Sequence, residues 1–428
     1  MRWKRRRLAG MLASACVASL LALPPGLAGA NEAQRDRTAA ETAEIRELPA
    51  LGEIDDDVIT SDELRAMLPG LLSEDYSPEQ AEADQRGLIA IGLLPPGTDL
   101  MAMYEGVLGE QVAGFYDPET DRMYVISDTG EFGGMERMTY AHEVVHALQD
   151  AHLGLQETMD GMGGGNADRD TAVAALLEGD ASAASSIYLE RHPEIARDLL
   201  FAAAAPSGEM DSAPGAMGVS LIFPYLAGEK FVNALRAEGG WQAVDAAYAD
   251  LPQSTEQIMH PEKYLAGEAP VEVTLPDPAS LGEEWSLVVD DTMGELGVAL
   301  LLADLGPGEG INAFTGGIDL PIPALNAAAG WGGDRYALWE SGDREVLVWK
   351  TVWDSERDAA AFLRALAQHQ QARFGGDLVA GPDGGLSLAA DGAALLMRQD
   401  GLDVVLTQGP DPGTAQAALA AVAPEAAS

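Results

Sequence analysis

Apolar positions along the chain change their spacing repeatedly, and each change marks an element. In "VITSDELRAMLPGLL" a short extended piece gives way to a helix capped near Thr60 or Ser61, with Asp62 and Glu63 in its first turn. "SPEQAEADQRGLIAIGLL" predicts a second helix, entered at Pro78 and stopped by Pro95-Pro96, and "MAMYEGVLGEQ" a third. In "VAGFYDPETDRMYVIS" aromatic and β-branched residues flank a turn-rich centre, the pattern of a β-hairpin. Helical spacing returns from about Met135 to Leu153 and from about Thr171 to Glu190, with Asp168 or Asp170 starting the latter. Between them "MDGMGGGNADRD" is too rich in glycine for regular structure.

"AAPSGEMDSAPGAMG" predicts a second flexible loop, after which helices run through "LIFPYLAGEKFVNALRAEGGWQAVDAAYADLP" into "QSTEQIMHPEKYL". The proline-bearing "GEAPVEVTLPDPASLG" places an expected domain boundary near residues 270–271. Beyond it, "TMGELGVALLLADL" has helical spacing, "REVLVWKTVW" alternates like a strand, and "DSERDAAAFLRALAQHQQARFG" is a capped helix. "LSLAADGAALLMRQDGLDVVLTQG" adds further strands. The expected fold class is therefore α+β: a mostly helical domain with a hairpin or small sheet over 51–270, and a C-terminal α+β domain over 271–428. Residues 31–50, polar and charged, read as a flexible acidic segment.

The first 30 residues carry a basic head (Arg2, Lys4, Arg5, Arg6, Arg7), an apolar run and Ala28-Gly29-Ala30. That is the pattern of a cleavable signal peptide. The run breaks at Pro24-Pro25 after roughly 16 residues, short of the ~20 that a spanning helix needs, and no later run qualifies. An exported protein, periplasmic or extracellular, is expected, with no integral membrane segment once the signal is removed. Cys16 is the chain's single cysteine and lies in that leader, so disulfides cannot hold the exported protein together. The formal net charge is −44. A surface so acidic repels phosphate backbones and excludes nucleic acid as a partner.

The chemistry concentrates in "AHEVVHALQD". His142 and His146 stand four apart, about 40° around a helix axis, so both imidazoles point one way and can share one zinc at about 2.0–2.1 Å. Glu143 is offset by one position, where it can take a proton from water that the ion acidifies. Tyr140, Ala141, Val144, Ala147, Leu148 and Ala151 form an opposite face suited to a core. The competing reading is two histidines on an ordinary amphipathic helix.

A catalytic zinc needs a third protein ligand and an open position. His152 stands where one extension of the motif puts a third histidine, but Gln149 replaces the glycine that would turn the chain. The helix should continue and carry His152 away. Glu178, in "AVAALLEGDASAASS", is the better candidate: Ala174, Ala175, Ala181 and Ser182 surround it, and a carboxylate on so small-sided a strip needs a cation to be buried. Gly179 implies close backbone contact. Asp180 can orient a histidine from behind, and Asp150 is either a similar support or a polar helix end.

Ordered blocks extend this pattern: "GFYDPETDRMYV", "AHEVVHALQDAH", "ALLEGDA", "FPYLAGEKFV" with "GGW", "STEQIMHPEKY", "AAGWGGDRYALW" and "LVWKTVWDSERDAAAF". Together they resemble a largely uncharacterised family of exported zinc peptidases of the gluzincin type. The resemblance implies a zincin-like fold for residues 51–270, His142, His146 and Glu178 as zinc ligands, Glu143 as general base, and a peptide or protein substrate. One departure is Ser182, where better-known gluzincins often carry an aspartate supporting the first histidine.

Peptide hydrolysis also needs a donor for the developing oxyanion. His260 and Tyr264 in "IMHPEKY" are the candidates, with Tyr225 in "FPYLAG" next, and packing around Pro261 is the competing reading for the first two. The hairpin can offer an edge to an extended peptide. "GWGGDRY" reads as a tight glycine loop at a structural corner. Two other functions stay open: a non-catalytic, zinc-stabilised binding protein, and a zinc hydrolase of a non-peptide amide.

Overall fold

The computed structural model describes residues 28–130, 132–195, 208–312, 317–381, 384–390 and 392–423. The expected signal sequence, through residue 27, lies outside the described residues. The chain opens with α1 (Ala28–Arg46), β1 (Asp55–Ile59), α2 (Ser61–Asp75), α3 (Pro78–Ile91), α4 (Leu100–Gln111), β2 (Gly114–Asp117) and β3 (Arg122–Ile126). Next come α5 (Gly134–Leu153), α6 (Leu155–Asp160), α7 (Ala167–Arg191), α8 (Gly208–Ser212), α9 (Gly215–Gly239), α10 (Trp241–Ala247), α11 (Thr255–Met259) and α12 (Pro261–Leu265). The remainder is β4 (Ser286–Asp291), α13 (Gly294–Ala303), α14 (Ile322–Ala328), β5 (Trp331–Ser341), β6 (Arg344–Trp353) and α15 (Glu356–Phe374). It closes with β7 (Val379–Ala380), β8 (Leu386–Ala390), β9 (Ala393–Asp400), β10 (Asp403–Gly409) and α16 (Pro412–Val422). The fold is α+β.

Local chemistry explains the boundaries. Thr60 caps α2 in a reciprocal box with Glu63: its hydroxyl accepts from the Glu63 amide at 3.2 Å, and its own amide donates to that carboxylate at 2.8 Å. Ser77 caps α3, with Pro78 at the first helical position. Helix α5 runs past Gln149 and stops at Gly154, whose φ of 76° is the left-handed conformation of a helix C-terminus.

Two sheets form. The smaller has the order β1-β3-β2, with β1 parallel and β2 antiparallel to β3, so β2 is an edge. The larger, antiparallel throughout, runs β4-β5-β6-β10-β9-β8-β7. One of its faces carries Trp331, Trp349 and Trp353, the last two packed on Phe362 of α15. The other buries Trp339, Val346, Val348 and Val405 beneath α16. Residues 270–271 fall in extended chain, yet the core does not divide there: one cluster joins Ile45, Ala175 and Phe231 to Val289, Trp331 and Trp349. Among the described residues no helix is long and apolar enough to cross a membrane.

Three expectations are corrected. Residues 31–46 of the expected flexible segment are helical, because the polar composition hid a buried stripe: Thr38, Thr42, Ala43, Ile45 and Arg46 are all buried against α5 and α7. Residues 204–207 of the expected loop at 204–218 lie outside the described residues, and the rest is helical in α8 and again from Gly215, where Ala216, Met217 and Val219 enter the core. "GWGGDRY" begins strand β5 rather than a loop. Its glycines mark a register shift, and a side chain at Gly333 would lie 2.2 Å from the Val271 carbonyl oxygen.

Candidate metal centre

Helix α5 buries its apolar face beneath β2 and β3, which turns His142, Glu143 and His146 toward α7. Helix α7 is pressed against α9 by three small residues. A Cβ at Gly228 would stand 2.1 Å from the Ala175 carbonyl oxygen, and one at Gly179 would stand 2.2 Å from the Gly228 carbonyl carbon. Glycine is required on both sides of this crossing. It seats Glu178, next to Gly179, against the two histidines.

The ligating atoms of His142, His146 and Glu178 all lie within 4.8 Å of one another. Glu178 Oε2 is 2.9 Å from His142 Nε2 and 3.6 Å from His146 Nε2. The imidazole centroids are 4.9 Å apart at 73°. All four side chains of the motif and its acid are buried, and both Glu143 oxygens, Glu178 Oε1 and His146 Nε2 have no hydrogen-bond partner. Orphans of this kind are costly in a folded interior, and the two imidazoles and one carboxylate gathered here match the donor set of a divalent transition ion. The residues therefore fit zinc.

Burial pushes the His142 imidazole below its ordinary range, although Glu178 opposes this. His146 is raised to about 9: burial works against its charged form, but Glu178 and Glu143 together outweigh it. Burial drives Glu143 well above the usual carboxylate range. The Tyr116 amide opposes that only weakly, from outside hydrogen-bonding geometry. Glu178 is lowered, because His146 and His142 overcome the effect of burial.

A second acidic group, Glu256, Glu268 and Asp354, is of another kind. The Lys263 ammonium sits among its oxygens at 2.7, 2.7 and 2.8 Å and already supplies the cation.

The other sequence candidates fall in several places. His152 turns away and meets the Pro49 carbonyl at 2.9 Å. Asp150 accepts from the Tyr116 hydroxyl at 2.9 Å and from the Gln156 amide at 3.3 Å, a helix-end role. Asp180 does stand behind a histidine, but through Gln149: Gln149 Nε2 donates to Asp180 Oδ2 at 3.2 Å, and Gln149 Oε1 lies 2.9 Å from His146 Nδ1. His260 and Tyr264 make their contacts elsewhere. His260 pairs with Glu295 at 3.0 Å, while Tyr264 donates to the Asp250 carbonyl at 2.8 Å and packs on Phe231. Tyr225 comes to the cluster instead, its ring stacked on His142 at 5.9 Å.

Gln149, Arg46 and Gly114 were not legible as site residues. Gly114 lets strand β2 lie against the motif: a side chain there would strike Thr139 at 2.5 Å and reach Glu143 Cγ at 3.4 Å. A strand glycine next to aromatics was its only signal. For Arg46 the signal was the i, i+4 row Thr38–Thr42–Arg46.

One family profile, described as a domain of unknown function (DUF8575), matches residues 286–419, the span of the larger sheet and its helices. No curated protein and no solved structure matches the chain. The matched span lies outside the His142–His146–Glu178 cluster.

Proposed function

We propose that the protein is an exported zinc peptidase of the gluzincin type. The observation that carries this reading is Glu143: a buried carboxylate with neither oxygen partnered, beside three ligating side chains. A structural zinc site closes itself with four protein ligands and has no use for a free base, whereas a catalytic one keeps a position open. His142, His146 and Glu178 would hold the ion, which when bound acidifies water and polarises a carbonyl.

Glu143 is the proton carrier, receiving a proton at its carboxylate from the attacking water and delivering it to the departing amine. Tyr225, stacked on His142, takes the oxyanion-donor role first assigned to His260 and Tyr264. The edge strand β2, packed on the motif through Gly114, offers backbone groups beside which an extended peptide can add as a further strand. The basic head and apolar run before residue 30 support export.

The experiment is Glu143→Gln in the purified, signal-cleaved protein. One zinc per chain by elemental analysis, with hydrolysis of a peptide library by the parent and none by the variant, is the expected result. Zinc bound and no hydrolysis by either protein would leave a non-catalytic zinc protein and overturn the reading.

A further inference from the structure

His146 can ligate through Nε2 only if the ring proton sits on Nδ1. Nδ1 lies 2.9 Å from Gln149 Oε1, so the question is what fixes that amide. Gln149 Nε2 donates to the Leu177 carbonyl at 3.0 Å and to Asp180 Oδ2 at 3.2 Å. Both partners can only accept, so the amide nitrogen belongs on their side and Oε1 on the side of His146. Facing an acceptor, Nδ1 must be the donor, which leaves Nε2, on the side of Glu178, as the nitrogen able to ligate.

Asp180 is fully buried, and donors on both of its oxygens fix the position of the carboxylate. Arg46 is the first of them. Its Nε donates to Asp180 Oδ1 at 2.6 Å, while Tyr248 donates to Oδ2 at 2.7 Å. The guanidinium is itself fully buried, 4.6 Å from the Trp241 ring centroid, with a second bond to Asp245 at 2.6 Å. A guanidinium does not lose its proton in a protein, so this cation is permanent.

We propose that Arg46 is a positioning residue that sets the His146 tautomer through Asp180 and Gln149, which makes the N-terminal helix α1 part of the metal centre. The inference rests on the reading of His146 as a zinc ligand. It adds that the centre is incomplete without residues 28–46, a segment that packs on both ligand-bearing helices and makes no hydrogen bond or ion pair to the ligands.

The test uses the full signal-cleaved chain and two readouts: zinc affinity by chelator competition, and histidine ring 15N shifts in metal-free protein. In the parent, at a pH above the value of about 9 to which His146 is raised, its ring should show a single neutral tautomer with the proton on Nδ1. Gln149→Met removes the acceptor and leaves the Arg46–Asp180 pair in place; Arg46→Gln removes the charge at similar length. Both should weaken zinc by roughly 10–100-fold, the usual effect of losing an outer partner, and mix the His146 tautomers while His142 signals stay put. Arg46→Lys, which keeps the charge, should recover part of the affinity. If Arg46→Gln does not fold, Gln149→Met decides. Affinities within twofold of the parent with His146 unchanged would overturn the inference. A parent that binds no zinc would instead sink the peptidase reading, and the tautomer measurement would still judge the relay.

Discussion

Replacing Gly228 by alanine puts the seating of Glu178 under direct test. The new Cβ would stand 2.1 Å from the Ala175 carbonyl oxygen, where an ordinary contact begins at 3.4 Å, so α7 and α9 must separate by about 1.3 Å. The obstacle is backbone, which no rotamer change can relieve. Overpacking of this kind costs ~1–3 kcal/mol, and a backbone clash belongs at the upper end. Alanine in a helix returns about 1 kcal/mol relative to glycine. The net is a loss of about 2 kcal/mol, which for a chain of this size lowers Tm by roughly 2–3 °C. On the proposed zinc reading the functional loss should be larger, because ligand distances in such sites hold to within ~0.2 Å and Glu178 rides on the helix that moves. Zinc affinity, measured by chelator competition, should fall at least ~10-fold. Gly218→Ala is the control on the same helix. Its Cβ meets Ile311 and Met210 at an ordinary 3.5 Å, so stability and zinc binding should hold. A Gly228→Ala protein that melts within about 1 °C of the parent (about 1 kcal/mol or less) and binds zinc equally well would refute the crossing as the device that seats Glu178.

Three further outcomes are expected. Zinc at about 100 times its Kd should stabilise the parent and Glu143→Gln by ~2.7 kcal/mol, seen as a raised Tm, and leave His146→Ala unmoved; equal response in all three would remove His146 from the ligand set. Asp334 accepts from the Met293 and Gly294 amides at 3.0 Å each and from the Trp331 and Trp349 indoles at 2.9 Å each. Asp334→Asn turns an amide nitrogen on part of that set and should cost about 3 kcal/mol in urea unfolding. Burial raises Asp168 from 3.8 to about 7, so between those values the folded protein keeps a proton that the unfolded chain releases. Its contribution to stability is therefore intact below pH 4 and is lost as pH rises toward 7, by at most on the order of 4 kcal/mol. Asp168→Asn should gain on the parent across that window, and a pH-independent difference between the two proteins would contradict the assignment.

Much of the local structure was legible because it depends on neighbours in sequence. The reciprocal box at Thr60 and Glu63, the proline entry at Pro78 and the continuation of α5 through Gln149 are all decided within a turn or two. The misreadings share one cause. Helix α1 and the stretch from Gly215 look polar or glycine-rich locally, but they are helical because other parts of the chain bury their small residues. In "GWGGDRY" the glycines suggested a turn. Their actual task is to let the Val271 backbone lie against β5, a contact with chain 62 residues away that no local pattern announces.

The sequence by itself determined that His142, Glu143 and His146 share one region of a single helix, because a spacing of four is a property of the helix and not of its surroundings. It also marked Glu178 and Gly179 as a tight spot. Only the tertiary structure decided that Gly179 meets Gly228, that this crossing carries Glu178 to 2.9 Å from His142, and that Arg46 reaches Asp180 from a helix 134 residues earlier. It also placed the Tyr225 ring beside His142. The physical reason is range. Backbone geometry propagates along a helix within a few residues, whereas the pairing of buried charges and the closest approach of two helices depend on which distant surfaces the whole core brings together.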